Sequence, residues 1–130
     1  MVDKNHQNDE CSDSSDLEVV FHPDKAVTKE LKAVPERQRD RFITSVGLMQ
    51  KRLAPTCKVK QLQAIDRDVY ELIINGSPAW RLIYYVGDKG KIVVLHVTEK
   101  TTEGSDRQIA NTTELRLKAW RGMQQQAKRS

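Results

Sequence analysis

Three residues in the second half of the chain have side chains suited to chemistry on a phosphodiester. Arg81 offers a planar guanidinium, which clamps a phosphate through parallel hydrogen bonds and stabilises charge that grows in a transition state. His96 is of the residue type that most often moves protons near neutrality, and Lys100 adds a positive charge four residues on. Tyr85 can stack on a base, and Glu71 supplies a carboxylate. A ribose 2′-hydroxyl would provide an internal nucleophile, so this set calls for no metal and no cofactor. Plainer readings stand beside these. Arg81 and Glu71 make a cross-strand ion pair, His96 is a hydrogen-bonded structural histidine, and Trp80 and Tyr84 belong to the core. Other chemistries find little support. Cys11 and Cys57 are too far apart for a metal knuckle, and no GxSxG, P-loop, GxGxxG or HExxH motif occurs.

These residues lie on consecutive β-rich runs. Val69–Ile74, Ala79–Val86 and Lys91–Thr98 read as an antiparallel meander, joined through Asn75-Gly76-Ser77-Pro78 and Gly87-Asp88-Lys89-Gly90. Strand side chains alternate between faces. With the more apolar sets turned to the helices, the opposite face holds Glu71, Arg81, Tyr85, His96 and Thr98, with Lys100 just beyond. An antiparallel sheet permits one such half-open face.

The rest of the chain supplies the support. Leu17–His22 is a short strand stopped by Pro23. Asp24 reads as the cap of a helix carrying Ala26, Val27, Leu31 and Val34, and Pro35 as the first turn of a second helix reaching Leu53. The outer face of that second helix is basic, with Arg37, Arg39, Arg41, Lys51 and Arg52. Residues 54–66, including Lys58 and Lys60, read as irregular. Ser105 with Gln108 makes a capping-box pattern for a final helix ending near Gly122, and 123–130 reads as a flexible basic end.

The 130 residues, 38% hydrophobic and 31% charged, suit one small domain at 17–122. Residues 1–16 hold five acids and one base, a charge of −4 and almost nothing apolar, and read as a disordered acidic tail. With the chain at +4 overall, the remainder carries +8, which suits a polyanionic partner. There is neither an 18-residue apolar stretch nor a secretory leader, so the expectation is a cytoplasmic protein without a membrane partner.

The order of elements resembles a family. LEVVFHPDKAVTKELKAVPERQRDRF is similar to the opening strand and helical hairpin of RelE-superfamily toxins. Tyr70-Glu71-Leu72, Arg81-Leu82-Ile83-Tyr84, Val94-Leu95-His96 and Glu99-Lys100-Thr101-Thr102 resemble the HigB-like, phage-derived branch in order and spacing, across about residues 17–121. The resemblance implies an α+β, RelE-like fold: an N-terminal strand and helical hairpin packed on an antiparallel meander, with a C-terminal helix. It implies the toxin of a type II toxin–antitoxin pair, a metal-independent endoribonuclease that cuts mRNA on the ribosome. A cognate antitoxin would be its partner in a hetero-oligomer. Arg81 matches the family's phosphate-binding arginine, Lys100 a basic residue after the last strand, and His96 the histidine ending that strand. The expected RNA contacts are Arg37, Arg41, Lys51, Lys58, Lys60 and Tyr85. The chain departs from the pattern at Glu71 and Ile73, where RelE proper carries lysines, and at Thr102-Glu103-Gly104, where the branch usually ends in Thr-Pro. A ParE-like gyrase inhibitor and a non-catalytic protein-binding module of the same fold are the alternatives.

Overall fold

The computed structural model describes residues 15–100 and 105–129, with backbone alone at Ser105, Lys128 and Arg129. The expectations for most of the acidic tail and for the loop at 101–104 lie outside these residues, as does the Ser105 cap. The elements are β1 (Glu18–Phe21), α1 (Asp24–Ala33), α2 (Glu36–Gln50), β2 (Lys58–Gln61), β3 (Val69–Ile74), β4 (Ala79–Tyr85), β5 (Lys91–Lys100) and α3 (Ser105–Arg129). One sheet runs in the order β1-β5-β4-β3-β2, with β1 parallel to β5 and the other pairs antiparallel. This is the α+β architecture that the sequence implies, with the meander at its centre.

Both faces of the central strands are covered. On one, Val27 and Val34 of the α1 segment and Phe42 of α2 close over Leu72, Ile74, Leu82, Tyr84, Ile92, Val94 and Val97. On the other, Ile109, Leu117 and Trp120 of α3 close over Val69, Ile83, Tyr85, Val93 and Leu95. Long apolar runs in β3 to β5, rather than clean alternation, are the reason: such strands demand burial on both sides. On the second face only the end beyond α3 is left for the polar residues, so the half-open face is smaller than alternation suggests.

Several boundaries differ from those read in the sequence. Lys58–Gln61 is a strand, not an irregular stretch. All four of its residues are exposed, so its own hydrophobicity carries no strand signal; pairing with β3 makes it a strand. Pro23, not Asp24, occupies the N-cap of α1, and Asp24 sits in the first turn and accepts a bond from Thr28 Oγ1 (3.3 Å). Pro35 is likewise the N-cap of α2, and α2 stops at Gln50 because Arg52 takes φ 65° in the turn that follows. β5 runs on through Glu99 and Lys100. α3 continues past Gly122 to Arg129, beyond the helix end read near Gly122. A glycine in a helix costs only about 1 kcal/mol, and Met, Gln, Ala and Lys beyond it favour the helix.

Buried polar side chains tie the layers. Ser45, wholly buried on α2, accepts the backbone N–H groups of Thr56 (3.2 Å) and Cys57 (3.0 Å), which docks the segment leading into β2. Arg39 turns back to the carbonyls of Lys32 and Val34 at the end of α1 (3.3 and 3.4 Å), so it is spent on capping rather than on a basic outer face. Among the described residues no helix is long and apolar enough to cross a membrane.

Candidate functional site

A β-bulge decides which residues share the site face. Ile83 pairs with His96 and Tyr84 with Val94, which leaves Leu95 extra on β5. Strict alternation would turn Val94 and His96 to one face. The extra residue instead sends Val94 into the core under the helical hairpin and keeps His96, Thr98 and Lys100 on the face of Ile83 and Arg81. On the next strands, Glu71 lies opposite Ile83 and Lys60 opposite Glu71, while Ile73 lies opposite Arg81 and Lys58 opposite Ile73. Arg81, Lys100, Lys58 and Lys60 are therefore carried by the same end of one sheet face, with Glu71 among them.

Arg81 is the centre of this group. Its side chain is only 10% exposed and Glu71 only 11%, with Arg81 Nε 3.6 Å from Glu71 Oε1. That separation is too long for a hydrogen bond. Arg81 Nη1 donates to the carbonyl of Trp80 (3.1 Å), and Nε is a buried donor with no hydrogen-bond partner among the described residues. A buried guanidinium N–H left without a hydrogen bond costs on the order of 1–3 kcal/mol, so a phosphate oxygen that reached it would recover that cost. Burial pushes the Glu71 carboxyl above its ordinary range, against the opposing pull of Arg81, Lys60 and Lys100. Lys100 Nζ reaches Asp106 Oδ1 in the first turn of α3 (2.9 Å), so this cation is also held by a carboxylate.

His96 sits at the other margin of β5. β1 pairs with β5 only as far as Val94, so the backbone beyond would form a bare edge. Glu30 of α1 and Arg116 of α3 close it. Glu30 Oε1 accepts from the Val97 N–H (2.9 Å), and Arg116 Nη1 donates to the Leu95 carbonyl (2.9 Å). Arg116 also grips Glu30 with both terminal nitrogens (3.0 and 2.8 Å), and His96 Nδ1 lies 3.0 Å from Glu30 Oε1. Burial alone would raise the Glu30 carboxyl. The bonds from His96, Arg116 and Val97 outweigh that and bring it down to about 2.

The other sequence candidates separate. Arg37 and Arg41 are exposed on α2, whose buried face packs against the opposite side of the sheet, so they stand away from Arg81. Lys51 follows α2 and pairs with Asp16 (3.3 Å). Tyr85 lies buried under α3, with the Arg121 guanidinium 5.2 Å from its ring centroid, so its ring faces the protein rather than the site. Trp80 and Tyr84 are core residues. Glu30, Arg116 and Asp106 are partners that the sequence reading did not single out. Glu30 is 66 residues from His96, and no local pattern joins them.

Fold and site together define a small α+β domain that gathers basic side chains at one end of a sheet whose central strands are covered on both faces. The family model of the phage-derived protein Gp49-like family (DUF891) matches residues 29–118, well over half of the chain, and the chain belongs to that family. The family is associated with RelE-type toxins of toxin–antitoxin pairs, in which an antitoxin is the partner. Comparison with curated proteins and with solved structures found no match.

Proposed function

We propose that this protein is the toxin of a type II toxin–antitoxin pair of the HigB-like kind, and that it cuts mRNA on the ribosome. The observation that carries this reading is the buried Nε of Arg81, which has no hydrogen-bond partner among the described residues, on a face shared with Lys58, Lys60 and Lys100. Arg81 binds the scissile phosphate and stabilises its growing charge. The 2′-hydroxyl attacks phosphorus and yields its proton to His96. The bond to the 5′ oxygen breaks, and Lys100 protonates the departing oxygen. The products are a 2′,3′-cyclic phosphate and a 5′-hydroxyl. Glu71 and Asp106 hold Arg81 and Lys100 in the free protein and yield them to the phosphate.

That same pairing of each cation with a carboxylate favours a second reading, a RelE-fold binding module without cleavage activity. Induced expression of wild type and Arg81→Lys separates the two, with growth and primer extension on a translated reporter mRNA read together. Lysine keeps the charge and loses the fork. New 5′ ends with wild type, reduced at least about a hundredfold by Arg81→Lys at equal soluble expression, are the expected result. Wild type that accumulates without new 5′ ends overturns the nuclease reading.

A further inference from the structure

We infer that Glu30 is a positioning residue: it holds His96 with its proton on Nδ1 and leaves Nε2 as the ring nitrogen that can take a proton. The inference rests on the nuclease reading above and adds a residue to it.

The argument is a count of donors and acceptors. Glu30 is a carboxylate and can only accept. Its Oε1 lies 3.0 Å from His96 Nδ1, 3.0 Å from Arg116 Nη1 and 2.9 Å from the Val97 nitrogen, and its Oε2 lies 2.8 Å from Arg116 Nη2. A bond between Glu30 and His96 therefore requires a hydrogen on Nδ1. Arg116 Nη1 also lies 3.3 Å from Nδ1, but a guanidinium only donates. Its protons go instead to Glu30 and to the Leu95 carbonyl, both closer. The opposite tautomer would accept from Arg116 and set a ring lone pair against a carboxylate oxygen at 3.0 Å. A neutral imidazole with hydrogen on Nδ1 has its lone pair on Nε2.

The surroundings keep this arrangement in place. Glu30 comes from α1, Arg116 from α3 and His96 from β5, and the His96 side chain is 12% exposed. A second histidine, His22, lies before α1 and feels the charge of Arg116. Burial first, then Arg116, lowers its pKa, and it packs edge-on against Trp120 (centroids 5.5 Å apart). His96 stands two residues along β5 from Thr98, which pairs with Arg81. That is about 7 Å of strand. As the 2′-oxygen bonds to phosphorus, its proton passes to Nε2. The imidazolium so formed keeps its Nδ1–H bond to Glu30, and the departing 5′ oxygen takes its proton from Lys100.

The test uses the 15N-labelled full chain. Long-range proton–nitrogen correlation spectra at mildly alkaline pH report which ring nitrogen of His96 carries hydrogen, without any substitution. An Nδ1–H pattern is expected, changing to a mixture of tautomers in Glu30→Gln. Cleavage by folded Glu30→Gln should fall at least about tenfold, and Glu30→Gln should cost nothing further in His96→Ala, since Glu30 acts through His96. An Nε2–H pattern in a chain that cuts mRNA overturns the role of Glu30, as does an equal loss from Glu30→Gln with and without His96. An Nδ1–H pattern in a chain that cuts nothing overturns the nuclease reading instead.

Discussion

Replacing Glu30 by glutamine should destabilise the protein in a way that depends on pH. The carboxyl falls from its ordinary 4.5 to about 2, because the His96, Arg116 and Val97 donors outweigh its burial. At about 1.4 kcal/mol per pKa unit, that fall corresponds to about 3 kcal/mol of preferential stabilisation of the charged form in the folded state. The Glu30 side chain keeps 22% of its exposure, so solvent screens part of this, and about 2 kcal/mol is the expected loss at neutral pH. The folded-state pKa lies below the unfolded one. The stabilisation is therefore fully present above about pH 4.5 and disappears as pH falls toward 2. Glutamine keeps the size and one acceptor oxygen, and titrating groups that do not touch Glu30 are common to both proteins. Urea unfolding of wild type and Glu30→Gln across that range, with equal m-values, isolates the term. The gap between them should be at full size above about pH 4.5 and close toward pH 2. A gap that stays constant over the range refutes the electrostatic account and makes Glu30 a matter of packing.

Two further outcomes follow from the layout. Gly47 lies mid-helix in α2, facing an apolar groove beside Phe21, Ile43 and Val46, and an added Cβ meets nothing within 4 Å. Gly47→Ala should therefore stabilise by roughly 0.5–1 kcal/mol, read as a higher urea midpoint. Lys58→Glu and Lys60→Glu should weaken binding to single-stranded RNA and flatten its salt dependence by about one unit of log–log slope each, whereas Arg37→Glu and Arg41→Glu on the opposite layer should leave the slope near that of wild type.

Much of this protein was legible without coordinates. The meander could be read because strand composition and the Gly87–Gly90 turn act locally, through side-chain sterics and turn chemistry that neighbours do not alter. The helical hairpin followed from apolar spacing and two prolines in the same way, and Trp80 and Tyr84 were assigned to the core by their place in apolar strands. The basic surplus of the body and the candidacy of Arg81 were equally properties of the chain itself.

The tertiary structure decided the rest, because it depended on contacts between distant residues. β2 is a strand only because β3 offers it an edge. The extra residue at Leu95 chose the face of His96, and alternation cannot reveal a bulge that two strands make together. α3 took Tyr85 out of reach, and the strand register left Arg81, Lys58, Lys60 and Lys100 together at one end of that face. Glu30 and Arg116 meet His96 across 66 and 20 residues because the end of β1 leaves β5 with unpaired backbone groups that some side chain must satisfy. Sequence patterns specify which elements form. The unpaired groups left where those elements end specify which distant side chains are drawn together.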